Sequence, residues 1–238
     1  MDECDILLGV RGNQKNPMVM GWSAVRANVV PMFALWGLAV VLVLGYYFMP
    51  GVASCLAPLA KWQTESGWLA AFVNRFVFCG VLPGIFMLAL PRLCPQFHPV
   101  MTVCATAVFC GVFGVFTDWF FRLQGVWFGQ GHDFSTLLVK TAVDQFAWNV
   151  LVVTPCVSVF YFWLACGLSV RRACRTFPRE WIRTVYAPNL LTNWCIWIPV
   201  VMATYAFPRP LQIQVSGLIS AFWILVCLKL GRTSARDL

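Results

Sequence analysis

Charge-free apolar runs about as long as a bilayer is thick recur along this chain, and they decide what it can fold into. Residues 29–49, VVPMFALWGLAVVLVLGYYFM, contain no Asp, Glu, Lys, Arg or His. A helix rises about 1.5 Å per residue and membrane hydrocarbon is about 30 Å thick, so roughly 20 such residues cross it. The same reading gives further spans at 69–90, 99–121, 143–168, 184–206 and 211–230. Hydrophobic residues make up 60% of the chain and charged ones 11%, against about a half and a quarter in soluble domains. A water-soluble globule is excluded. The 20 Phe and 12 Trp exclude disorder as well, since disordered chains are poor in apolar side chains. The expected fold class is therefore all-α: a polytopic transmembrane helical bundle of six spans. Residues 1–28 form an N-terminal cytoplasmic segment, 29–230 a single transmembrane domain and 231–238 a cytoplasmic tail.

Charge distribution tests this count independently, because cytoplasmic loops collect Lys and Arg. Six spans put Arg11, Lys15, Arg26, Arg92, the five arginines of 169–183, Lys229, Arg232 and Arg236 on one side. Lys61, Arg122, Lys140 and Arg209 fall on the other, with Arg75 inside a span. That asymmetry places both termini in the cytoplasm or its equivalent. Omitting the fifth span, the weakest because Asn189, Asn193 and Pro199 interrupt it, would shrink the asymmetry. In 169–183, Arg171, Arg175, Arg179 and Arg183 recur every fourth residue. Val170, Cys174, Phe177, Trp181 and Val185 fall on the opposite arc. The pattern predicts a basic interfacial helix before the fifth span, restarting at Pro178, with its arginines on lipid phosphates.

The formal charge of +8 fits cations at a membrane surface; too little polar surface remains for a nucleic-acid face. The 11 Cys include no C-x-x-C pair and read as small buried hydrophobes. With His98 and His132 as the only imidazoles, no metal site is expected. The acidic start, MDECD, argues against a cleaved secretory signal. Phosphate loops, zinc-protease, nucleophile-elbow and dinucleotide motifs are missing from the sequence. No enzyme and no cofactor is expected.

Ionisable groups inside spans usually meet a partner or water. Arg75 lies within two turns of the non-cytoplasmic face in the second span and Asp118 at similar depth in the third. The fourth begins there with Lys140, Asp144, Gln145 and Asn149. Arg75, Asp118 and Asp144 are thus expected to meet in one leaflet, as a structural ion-pair knot or as the lining of a solute pathway. Asn189, Asn193 and Thr204 extend such a lining inward or bond helix to helix. Trp22, Trp68, Trp127 and Trp181 read as belt residues; Trp194 and Trp197, deeper, are pore-wall candidates beside Pro199. Pro31, Pro83, Pro155 and Pro199 each remove a backbone donor within a span. Gly80 and Gly84, and likewise Gly111 and Gly114, permit close helix approach.

The order Lys140-Thr-Ala-Val-Asp144-Gln145, a span ending near Gly167, a basic loop, Asn193-Trp194-Cys-Ile-Trp197-Ile-Pro199, then Pro208 and Trp223, resembles the Mpv-seventeen / 22-kilodalton peroxisomal membrane protein family. Gly111, Gly114 and Trp119 fit its glycine-then-aromatic helix. Departures at Val150, Ile198, Val201, Thr204 and Gln212, and the added first span, make this a divergent member, a bacterial one being one reading. The resemblance implies an integral protein of the bacterial inner, mitochondrial inner or peroxisomal membrane. It also implies a channel for small metabolites, and carries over no active site.

The expected function is a channel or facilitator for small polar metabolites or ions, lined by Arg75, Asp118, Lys140, Asp144, Gln145, Asn149 and Asn193 with Trp194, Trp197 and Pro199 at its wall. The alternative is a non-conducting scaffold or stabilising subunit. Expected partners are membrane lipids and small polar solutes, with no nucleic acid; homo-oligomerisation stays open.

Overall fold

The computed structural model describes Trp22, Arg26 and residues 29–89 and 99–234, with side chains placed as far as residue 224. Arg11, Lys15, Arg92, His98 and Arg236, and the side chains of Lys229 and Arg232, lie outside the described residues. So do most of the N-terminal segment and the end of the tail. Helices account for the described chain, without strands.

Helix α1, Val29–Phe48, buries Pro31, Met32, Leu35 and Ala39, a stripe at helical spacing, and leaves Val30, Phe33 and Val41 exposed, as suits a helix facing lipid. Met49 is extended (φ −119°, ψ 101°) and Pro50 opens α2, Pro50–Ser66. A residue before proline is steered out of the α region, while proline itself fits the first turn of a helix. By hydropathy this stretch reads as a connection, because Lys61 and Glu65 dilute its apolar face; it is a second helix. At its end Gly67 adopts a left-handed φ of 54° and donates its N–H to the Gln63 carbonyl at 3.0 Å.

Helix α3, Trp68–Arg75, a π-helical turn, Phe76–Val81, and α4, Leu82–Ala89, run on from one another as the expected second span. Helix α5, Pro99–Phe128, has 30 residues, about 45 Å at the usual rise, and extends past the predicted end at 121. The next span begins well before 143: α6, Phe134–Val143, a π segment, Asp144–Val153, and α7, Thr154–Ala165, are continuous. The early start has a local cause. The Asp133 carboxylate caps α6, accepting the Thr136 N–H at 3.0 Å and the Ser135 hydroxyl, which satisfies donors the first turn cannot.

Between residues 169 and 183 the arginine-rich stretch is not one helix. Helix α8, Val170–Thr176, is capped by Ser169, breaks at Phe177–Pro178, and gives way to a π segment, Ile182–Tyr186, that leads into α9, Ala187–Tyr205. The last helix, α10, is Arg209–Ser234. All three π segments among the described residues end two residues before a proline: Pro83, Pro155 and Pro188. A proline ring crowds the carbonyl four residues back and offers no N–H, so a wider turn ahead of it relieves the clash. Pro199, inside α9, is accommodated without one.

Among the described residues four helical runs are long and apolar enough to cross a membrane: Val29–Phe48, Trp68–Ala89, Pro99–Phe128 and Phe134–Ala165. The chain divides into two compact units, one from Ala142–Ile198, the other from Val30–Thr141 with the chain from Pro199 onward. In the latter, small residues set the crossing of α5 with the α3–α4 run. A methyl on Gly80 would strike the Ala107 backbone, one on Gly84 the Val103 side chain, and one on Gly111 the Phe72 ring. The glycine positions read from sequence as close-approach sites are where the helices touch.

Candidate functional site

Helical bodies in lipid must satisfy their polar groups internally, so buried polar side chains are the informative ones. In the unit formed by Val30–Thr141 and the chain from Pro199, α2, α3, α5 and α10 bring such groups into one connected chain. Gln63 sits at its centre. Its Nε2 donates to Asp118 Oδ1 at 3.2 Å and to the Gly67 carbonyl at 3.0 Å, and its Oε1 accepts from Gln214 Nε2 at 2.8 Å. Gln214 Oε1 in turn accepts from Asn74 Nδ2 at 2.7 Å. All four side chains are buried. Asn74 fits because Gly217 of α10 leaves it space; a methyl there would collide with the Asn74 carboxamide oxygen.

Asp118 is the anionic member. Its Oδ2 takes the Arg122 Nε–H at 2.8 Å, one turn along α5, and its Oδ1 lies 3.8 Å from an Arg209 guanidinium nitrogen. The expected pairing of Arg75 with Asp118 does not form. Arg75 lays its stem over Gly114 and turns its head toward α10, donating to Ser220 Oγ at 2.9 Å, Ser216 Oγ at 3.0 Å and, weakly, Cys79 Sγ at 3.6 Å. Arg75 crosses α5 at Gly114, one turn before Asp118, yet the two side chains face different neighbours, and a helix presents its sides to different partners every few residues. Lys140, expected in the lining, is buried with its ammonium 6.0 Å above the Tyr205 ring, a cation–π contact; the Lys140 carbonyl accepts from Gln124 at 3.1 Å.

Asp144 belongs to the other unit, where a second chain forms. Gln145 Nε2 donates to Asp144 Oδ1 at 2.8 Å. Asn149 Nδ2 donates to Gln145 Oε1 at 3.1 Å and to Asn193 Oδ1 at 2.8 Å, and its Oδ1 accepts from Thr154 at 2.8 Å. Trp194 Nε1 donates to the Gln145 carbonyl at 2.8 Å, and the Tyr186 hydroxyl to the Val150 carbonyl at 2.8 Å. Both acceptors lie in the π segment, so aromatic donors from α9 and the turn before it hold a backbone that departs from regular α geometry. Asn189 donates to Ser158 at 3.2 Å, and Thr204 bonds back to the Val200 carbonyl. The asparagines of α9 are thus helix–helix fasteners. Trp197 and Pro199 are half-buried.

Sequence reading thus found Asp118, Lys140, Asp144, Gln145, Asn149, Asn193 and Trp194 among the engaged groups. It missed Gln63, Asn74, Arg209, Gln214, Ser216 and Ser220. The last two offered a signal, since Gln212, Ser216 and Ser220 fall at four-residue spacing inside an apolar run and mark one face. No group of three or more His, Cys, Asp or Glu side chains among the described residues is arranged to hold a metal ion. Comparison with family models, curated proteins and solved structures returns no match for this chain.

Proposed function

We propose that the protein is an integral membrane channel or facilitator for small polar metabolites or ions. It is a divergent relative of the Mpv-seventeen / 22-kilodalton peroxisomal membrane protein family, residing in a bacterial inner, mitochondrial inner or peroxisomal membrane. In this reading α9 and α10 complete six spans, both termini face the cytoplasm or its equivalent, and the exposed Arg171, Arg175, Arg179 and Arg183 rest on lipid headgroups. The observation that carries it is the buried chain Asn74–Gln214–Gln63–Asp118 within a helical unit that also buries Gln124, Lys140, Ser216 and Ser220. Amides and a carboxylate in hydrocarbon are costly unless they face one another or a polar pathway. Groups that both donate and accept can exchange their mutual bonds for bonds to a passing solute.

Purified protein in planar bilayers tests the reading. Wild type should conduct, and Asp118→Asn and Asp144→Ala should each change the conductance while retaining the elution profile of folded protein. Wild type indistinguishable from empty lipid overturns it. One observation favours the second reading, a non-conducting scaffold: Gln63 and Gln214 already satisfy their neighbours without a solute. A silent bilayer together with a stoichiometric co-purifying membrane protein would establish that reading.

A further inference from the structure

The unit of Val30–Thr141 and the chain from Pro199 has an unbalanced interior. Lys140 is buried in it and Arg75 and Arg209 are half-buried, with Arg122 at its edge, against a single buried carboxylate among the described residues of this unit, Asp118. Glu65 and Asp133 are exposed. Asp118 is already committed to Arg122 and Arg209. Among the described residues Arg75 therefore holds its charge against neutral acceptors alone. The oxygens of Ser216 and Ser220 accept from it, and those hydroxyls pass their own protons to the Ile213 and Ser216 carbonyls at 3.0 and 2.7 Å. Arg75 Nε is buried with no hydrogen-bond partner among the described residues, and so are two nitrogens of Arg209.

A half-buried guanidinium without a counter-charge, its Nε shut off from water, is costlier than a paired one. A small anion would supply what is missing. The planar fork matches a carboxylate with two parallel N–H bonds or a halide with one or two, and serine hydroxyls can rotate to donate rather than accept. Rings of Arg or Lys are also what give a pore preference for anions. We propose that Arg75, with Ser216 and Ser220, forms a binding site for a small monovalent anion, a halide or a carboxylate, and that the solutes the protein handles are anionic. The first half stands on the charge imbalance; the second rests on the channel reading above.

The test uses the full chain and chloride as the probe, in two measurements. In planar bilayers under a potassium chloride gradient, the reversal potential should lie on the chloride side, with chloride favoured over potassium by about tenfold. Arg75→Gln should bring that ratio toward one, while Arg75→Lys, which keeps the charge, retains it. In detergent, the protein should broaden the chloride NMR line, acetate should reverse the broadening, and Arg75→Gln should abolish it. Potassium preference in wild type with an unbroadened chloride line overturns the inference and leaves the channel reading standing. No conductance, but broadening that Arg75→Gln abolishes, removes the channel and keeps the site. Broadening that persists in Arg75→Gln overturns the site. Should that variant not fold, Ser216→Ala combined with Ser220→Ala serves in its place: broadening weakened at least about threefold is expected, and no change overturns the assignment.

Discussion

Gln214 of α10 donates its carboxamide N–H to Gln63 of α2 at 2.8 Å, across 151 residues of sequence, and so ties the last helix to one that hydropathy alone would leave as a loop. Both side chains are buried. Gln63→Leu removes an acceptor for Gln214 and a donor to Asp118 together, leaving buried polar groups unmet at about 1–3 kcal/mol. Gln214→Leu should cost a similar amount, and the double variant less than the sum. A double-mutant cycle by denaturation in mixed detergent should return a coupling of about 0.6–1.7 kcal/mol, the range for hydrogen bonds in membrane bundles. Strict additivity would mean that the bond contributes nothing.

Gly80 and Gly37 make a matched pair for the crossing of α5 with the α3–α4 run. A methyl at Gly80 meets the Ala107 backbone, whereas one at Gly37 meets nothing within 4 Å. Gly80→Ala should destabilise by about 1–3 kcal/mol through overpacking. Gly37→Ala should be neutral or stabilising by up to about 1 kcal/mol, since alanine loses less backbone entropy in a helix. Melting midpoints of the two purified variants decide it, and equal shifts would contradict the close approach.

Trp194 and Tyr186 make a parallel prediction for the π segment. Each donates to one of its carbonyls, Gln145 and Val150, at 2.8 Å. Trp194→Phe and Tyr186→Phe remove the donors while keeping an aromatic body, and each should cost about 0.5–1.5 kcal/mol. The signature is local: amide hydrogen exchange over 144–153 should accelerate before global unfolding does. Unchanged exchange there would show that the segment holds itself.

How much of this was legible beforehand divides by the physics involved. Spans are averages over about 20 residues, so the runs at Val29–Phe48 and Trp68–Ala89 stood out despite Arg75. Helix α2 did not, because Lys61, Gln63 and Glu65 lower its average while Gln63 turns inward. Asn149 and Asn193 were recognisable because an amide inside an apolar run must find a partner, and the two found each other. The pairing of Arg75 was not legible: depth follows from counting residues, but the direction a side chain faces follows from how Gly114 lets its stem lie and where Ser216 and Ser220 fall on α10. The π segments were also missed, since proline signals a distortion but not its form.

Asp133 gives a pH-dependent prediction outside the spans. Hydrogen bonds from the Ser135 hydroxyl, first, and then from the Thr136 backbone hold its carboxyl well below the usual 3.8. With the folded value depressed, its contribution to the α6 cap is fully present above about pH 4 and is lost as pH falls through the folded value. A carboxyl-carbon NMR titration should find its midpoint below 3.8, and Thr136 N–H protection should decline only over that lower window. Asp133→Ala should remove both the protection and its pH dependence. A midpoint at or above the ordinary value would contradict the cap.

Asp118 should dominate its ion pairs unequally. Arg122 is 43% exposed and Arg209 25%, while the carboxylate they share is 5% exposed. Arg122→Gln removes a cation that water can screen and leaves Asp118 paired with Arg209, so the loss should be about 1 kcal/mol or less. Asp118→Leu strips the deeper guanidinium of its counter-charge and Gln63 of an acceptor, and should cost about 3–5 kcal/mol. Adding Arg209→Met to Asp118→Leu should restore much of that loss, because an apolar replacement of a buried pair is often tolerated where a half-pair is not. Denaturation midpoints of the three variants in one detergent provide the ordering. If Asp118→Leu proves no worse than Arg122→Gln, the burial of Arg209 against this carboxylate is not what holds α10 to α5.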